Sequence, residues 1–162
     1  MTRVPFTRLH LDPRRANSFL DSCAFDPKYS PEHEAANEIL KIGRTGIISL
    51  LLAHSNQKEI EHPNTPEDVK CEARAMNYTK DTALTPNEKR QKEAIHNILT
   101  GNGDSEKYKA DASHVFEAGK YVGYFITTDR RLLAKRDELR KICPATILTP
   151  SDWLRIFNEA GE

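Results

Sequence analysis

Short apolar runs alternate along this chain with longer stretches in which apolar residues recur every three or four positions, a pattern that predicts strands and helices in turn. Ala16-Asn17-Ser18-Phe19-Leu20 is short, partly apolar and ends at Asp21, which reads as a first strand. Pro31, Glu32 and Glu34 open a stretch with Ala35, Ala36, Ile39, Leu40 and Ile42 at helical spacing, closed by Gly43 and Gly46. The most apolar run follows at once. Ile47 to Ala53 has the length of a strand covered on both faces, and such a strand belongs in a parallel sheet.

From Pro63 to Asp104 the chain turns polar, with helical periodicity over Pro66 to Tyr78 and over Pro86 to Leu99, each opened by a Thr-Pro step. These read as two helices of a cap or arm. A helix from Ser105 to Lys120, a strand from Val122 to Thr127, a helix from Arg130 to Lys141, a strand from Ala145 to Leu148 and a closing helix from Pro150 complete the order. The expected fold class is therefore α/β: a three-layer α/β/α domain with a central, mainly parallel sheet, right-handed crossovers and a helical arm at 63–104 in the middle of the chain. Residues 1–15 hold two prolines and four arginines without periodicity and read as a loosely ordered leader, leaving a single domain over 16–160.

Length changes this picture little, since 162 residues suit one domain. Charge narrows the partners: 24 Lys plus Arg balance 24 Asp plus Glu, which excludes a histone-like polycation. Nucleic acid stays open as a partner, because a basic rim and an acidic centre cancel in the sum. No apolar run approaches the roughly 18 residues that span a bilayer, and the first twenty residues lack the continuous apolar block of a secretory signal. A cytoplasmic protein with no membrane partner is expected. Cys23, Cys71 and Cys143 are odd in number and widely spaced, so they read as reduced thiols.

Ligands of open parallel sheets bind beyond the carboxyl ends of the strands, so acids there carry information. Asp21 ends the first strand, and Asp129 follows the strand Val122 to Thr127. Each alone reads as a helix N-cap; two at one rim suggest a site. Asp111 has His114 three positions on, which orients Asp111 or fills the core. Glu59 and Glu61 follow the strand Ile47 to Ala53 by a turn and, being two apart, face different sides of a helix, so at most one aims at the rim. Arg130 and Arg131 follow Asp129 near a helix N-terminus, as anion holders or as solvated surface. The same choice applies to Lys89, Arg90 and Lys92, while Tyr78, Tyr108 and Tyr121 either stack bases or pack.

In order, Leu20-Asp21-Ser22-Cys23, a glutamate shortly after the second strand, Asp111-Ala112-Ser113-His114-Val115-Phe116-Glu117-Ala118, Tyr124-Phe125-Ile126-Thr127-Thr128-Asp129-Arg130-Arg131-Leu132-Leu133 and Ile147-Leu148-Thr149-Pro150-Ser151-Asp152-Trp153-Leu154 resemble the PIN-domain ribonucleases. That family includes the toxins of bacterial toxin-antitoxin pairs. The resemblance covers residues 16–157 apart from most of the arm and is sharpest over 110–154. It implies a PIN-like fold and a divalent-metal-dependent endoribonuclease acting on RNA. It also implies Mg2+ or Mn2+ held by Asp21, Glu59, Asp111 and Asp129, with Glu61 as the alternative glutamate. Thr127 matches the hydroxyl residue that holds a carboxylate or a substrate phosphate. An antitoxin protein and a second copy of the chain are the protein partners implied. Cys23 departs from the family, which commonly carries Asn there, and reads as packing.

Physical chemistry favours the same cofactor. Two like charges about 5 Å apart repel by roughly 3 kcal/mol at an effective dielectric near 20, so a carboxylate cluster needs an offsetting cation. Magnesium prefers oxygen ligands, and two such ions can stabilise an in-line displacement at phosphorus. One rival is an aspartyl-phosphate phosphatase, which wants a second carboxylate two residues after Asp21, where Cys23 stands. The other is a catalytically inactive PIN-like module that binds RNA or protein.

Overall fold

Asn17–Leu20 (β1) is the middle strand of a five-stranded, all-parallel sheet in the computed structural model, which describes residues 11–103 and 105–161. Residues 1–10 of the expected leader and Asp104 lie outside the described residues. After β1 come helix α1 (Glu32–Thr45), strand β2 (Ser49–Leu52), the one-turn helix α2 (Gln57–Ile60), helix α3 (Glu67–Arg74) and strand β3 (Asn77–Tyr78). Helix α4 (Pro86–Thr100), helix α5 (Lys109–Lys120), strand β4 (Tyr124–Ile126), helices α6 (Arg130–Ala134) and α7 (Arg136–Arg140), strand β5 (Thr146–Leu148) and helix α8 (Pro150–Ala160) follow. The strands lie in the order β3-β2-β1-β4-β5.

Side-chain alternation along the strands divides the core between the two faces of the sheet, as period-two geometry requires. Leu20, Leu52, Tyr124 and Ile126 join Ile39 of α1 and Trp153 and Ile156 of α8 on one face. Phe19, Ala53 and Phe125 join Ile95 and Leu99 of α4 and Val115 and Phe116 of α5 on the other. The expected α/β fold with helices on both faces is thus the observed one. Helix α8 is fixed by polar contacts as well: the Trp153 indole N–H donates to Ser18 Oγ at 2.9 Å in the interior. Buried Glu32 accepts from the backbone N–H and the hydroxyl of Ser151 at 2.9 and 2.8 Å, capping the α8 N-terminus across the fold.

Three stretches differ from the pattern-based expectation. The run Ile47 to Ala53 yields a shorter strand, Ser49–Leu52, and it is not covered on both faces: Leu50 and Leu51 are half-buried and Ile47 is 53 % exposed. The reason is its place in the sheet. Beyond β2 lies only the two-residue β3, paired Leu51 to Asn77 and Leu52 to Tyr78, so the first half of β2 has no outer neighbour. The helix expected over Pro66 to Tyr78 ends at Arg74, and Asn77 and Tyr78 join the sheet instead. The helix expected over Arg130 to Lys141 breaks at Lys135, where the backbone leaves the helical region at φ −96° and ψ 1°.

Parallel register sets the site. Leu20 pairs with Ile126, so Asp21 and Thr127 leave the sheet side by side. The Asp21 N–H donates to Ile126 O and the Thr127 N–H to Leu148 O, both at 2.9 Å, which extends the ladder one step beyond the strands. Gly123 permits this approach: a Cβ there would lie 2.8 Å from the Asn17 carbonyl oxygen of β1.

Candidate metal centre

Four segments converge at the carboxyl rim of the sheet. β1 delivers Asp21, β4 delivers Thr127 and Asp129, the 3-10 turn His54–Asn56 and α2 after β2 deliver Glu59, and α5 delivers Asp111 and His114. Oxygen or nitrogen atoms of Asp21, Glu59 and His114 lie within 4.8 Å of one another, close enough to share one ion. Asp21 is 4 % exposed and held on all sides. Oδ1 accepts from the Ser22 N–H at 2.8 Å and from Asn56 Nδ2 at 3.4 Å, and Oδ2 accepts from the Thr127 hydroxyl at 2.8 Å. Burial nevertheless pushes its carboxyl up, with the Glu59 charge adding to the rise, against the lowering effect of His114 and Thr127.

Glu59 sits at the open side. Oε1 accepts from the Ser22 hydroxyl at 2.8 Å and from Asn56 Nδ2 at 3.4 Å, and Oε2 lies 3.1 Å from His114 Nε2. Burial would raise this carboxyl, but the hydrogen bond and charge of His114, with Ser22 and Asn56, outweigh it and hold Glu59 below its ordinary value. Glu61, the alternative in the sequence, turns away and pairs with Arg74 at 2.9 Å. His114 does not orient Asp111 as the three-residue spacing suggested; its ring bridges Glu59 and Ser55, whose hydroxyl oxygen is 2.8 Å from Nδ1.

Asp111 is half-buried one turn before His114 on α5. Desolvation first, and then the charges of Asp21 and Asp129, push its carboxyl up to about 6, against the opposing pull of His114. Asp111 and Asp129 both lie outside the three-residue cluster of Asp21, Glu59 and His114, although the Asp111 carboxyl feels the charges of Asp21 and Asp129. Asp129 accepts the Arg131 N–H at 2.9 Å through Oδ1, so the N-cap role read from the sequence is real and coexists with its place at the rim. Thr127 is fully buried; its hydroxyl donates to the Asp21 carboxylate at 2.8 Å and accepts the Asp129 N–H at 3.0 Å, so it ties the Asp21 carboxylate to the backbone of Asp129.

Arg130 and Arg131 are both exposed beside this rim. The Arg131 guanidinium lies 4.7 Å from the centroid of the Tyr108 ring, a cation–π contact that fixes its position. Tyr121 stacks on Phe19 at 5.9 Å, which makes it a packing residue. The Cys23 sulfur lies 3.5 Å from Asp21 Oδ2 and 3.4 Å from Thr127 Oγ1. Part of the residue reaches the surface, yet desolvation of the sulfur and the Asp21 charge push the thiol up to about 11, so it is a neutral donor at pH 7.

Ser22, Ser55 and Asn56 are the participants that the sequence reading did not assign. Their signal was polar residues one step beyond the end of an apolar run, Ser22 after Asp21 and Ser55-Asn56 after His54, which is indistinguishable from turn chemistry until the partner acids are located. The donor set fits a hard divalent cation. It is oxygen-rich and carries excess negative charge, and Asn56 Oδ1 is buried with no hydrogen-bond partner among the described residues. No family model matches the chain, and no curated protein matches its sequence. Among the described residues no helix is long and apolar enough to cross a membrane.

Proposed function

We propose that this protein is a divalent-metal-dependent endoribonuclease of the PIN-like kind, with Asp21, Glu59, Asp111 and Asp129 holding Mg2+ or Mn2+. The observation that carries this reading is the convergence of Asp21, Glu59 and His114 within 4.8 Å at the carboxyl rim of a parallel sheet. The raised Asp111 carboxyl agrees with it: desolvation pushes that group up first, and the charges of Asp21 and Asp129 add to the rise. A bound divalent ion would polarise the phosphoryl oxygen and activate water for an in-line displacement.

The chain's own residues account for the remaining tasks. Asp21 is kept fixed by Ser22, Asn56 and Thr127, so the site is pre-organised before substrate arrives. Arg131, held against Tyr108, and Arg130 beside it supply positive charge for the phosphates flanking the scissile bond. Phosphate contacts of this kind position an RNA strand without reading its sequence.

One observation favours a second reading, a non-catalytic PIN-like module that binds RNA or protein. The His114–Glu59 pair already offsets part of the acidic charge without any metal. A single gel separates the two. Labelled single-stranded RNA incubated with purified protein and manganese is expected to be cut, and EDTA or the Asp21→Asn variant is expected to abolish the cut. RNA left intact in manganese overturns the nuclease reading.

A further inference from the structure

The acidic cluster shares a wall with a cavity of about 540 Å³ that its chemistry does not use. Ser22 and Glu59, joined by a 2.8 Å hydrogen bond, line both the site and the cavity and form the partition between them. We propose that this cavity is the subsite for the nucleobase adjoining the scissile phosphate, an inference that rests on the ribonuclease reading and adds a base-contacting pocket to it.

Shape and chemistry both suit a base. The volume lies within the roughly 300–1,000 Å³ range of small-molecule sites. The apolar part of the lining is exposed Pro66 and the edge of Val69, 9 % exposed, backed by fully buried Ile60. An aromatic base has two apolar faces and polar edges, and it gains most where a flat apolar surface is rimmed by donors and acceptors. The rim here is polar: His62 and Asn64 are exposed at its edge.

His62 is held by its own loop. Its Nδ1 accepts the Asn64 N–H at 3.1 Å, so in the neutral ring the proton lies on Nε2 and the imidazole is fixed as a platform or edge donor. The Thr65 hydroxyl is committed to the Glu59 carbonyl oxygen at 3.0 Å, which ties this rim to the helix that carries the metal-site glutamate. The Lys28 ammonium stands at the mouth with its side chain 81 % exposed, paired with Asp26 of the same lining at 2.6 Å, so a ribose phosphate would have to share it with that carboxylate. A nucleotide whose phosphate lies on the acidic cluster would thus find an apolar slot next door, with a cation at its entrance.

The test is calorimetric titration of the full-length protein in magnesium buffer with the four ribonucleoside 5′-monophosphates and with ribose 5-phosphate, beside the RNA cleavage gel. At least one nucleotide is expected to bind tenfold or more tightly than ribose 5-phosphate. The Asn64→Trp variant, which fills the rim from an exposed position, is expected to remove that difference; Asn64→Ala, should the larger side chain disturb folding, is expected to reduce it about threefold. Equal or undetectable binding of all five compounds overturns the pocket, as does a difference that survives both variants. Cleavage with equal binding leaves the nuclease reading standing without the subsite. Base-dependent binding without cleavage leaves a nucleotide pocket and removes the nuclease.

Discussion

His114 Nε2 lies 3.1 Å from Glu59 Oε2, while Nδ1 of the same fully buried ring lies 2.8 Å from the Ser55 hydroxyl oxygen. Burial alone would disfavour the imidazolium, but the Glu59 hydrogen bond and the charges of Asp21, Glu59 and Asp111 raise its pKa above the ordinary value. A group whose folded pKa is raised adds stability that is fully present below its unfolded value, near 6.5, and is lost as pH rises through the folded value. Replacement by alanine also removes a packed ring. His114→Ala is expected to cost about 2–4 kcal/mol in urea unfolding without metal. It is also expected to flatten the fall in stability above pH 6.5, and an unchanged pH profile would contradict the raised pKa of His114.

Asp111 answers to pH in the same direction for a different reason. Its carboxyl rises to about 6 through desolvation and neighbouring acids, so the folded state favours the neutral form and loses stability as pH climbs from about 4 through 6. Asp111→Asn, permanently neutral, is expected to raise the metal-free melting temperature at pH 8 and to leave it unchanged at pH 3. The group is half-buried, so solvent screening holds the gain to about 1 kcal/mol, or about 2–4 °C at this chain length. Thermal scans at the two pH values check this.

Glu59 and Glu61 provide a paired control. Glu59 faces Ser22, Asn56 and His114, whereas Glu61 pairs with Arg74. Manganese titration followed by melting temperature is expected to show at least a tenfold loss of affinity in Glu59→Gln and none in Glu61→Gln, since ligand binding to the folded state raises apparent stability by mass action. Equal losses in both would remove Glu59 from the site.

Thr127 acts on the acids from below. Thr127→Val keeps the volume but leaves buried Asp21 Oδ2 without its 2.8 Å donor, a loss expected to cost about 1–3 kcal/mol. Manganese affinity is expected to fall with it, and Thr127→Ser is expected to restore both. Restored stability without restored metal affinity would show that the hydroxyl supports the fold alone.

Asp21, Asp129 and the parallel sheet were legible because apolar runs announce strands and acids after strands announce a rim. The partner of His114 was not legible: Asp111 lies three positions away in sequence, whereas Glu59 lies 55 positions away and reaches the ring only through the crossover from β2 to α2. Strand β3 was equally hidden. Two residues, Asn77 and Tyr78, carry no period, and their pairing depends on where β2 happens to lie. The overestimated cover of β2 follows from the same gap, since burial of a strand is decided by neighbours its own residues do not name.

The Asn77–Tyr78 pairing means that the polar middle of the chain is not a detachable ornament. Cutting the stretch between Pro63 and Asp104 down to a short linker would strip the outer neighbour from Leu51 and Leu52 and leave a row of backbone donors and acceptors bare, an invitation to edge-to-edge self-association. A minimised version of this protein therefore has to keep that two-residue clasp together with α3 and α4, because Val69 and Ala73 of α3 and Ile95 and Leu99 of α4 belong to the core on the two faces of the sheet.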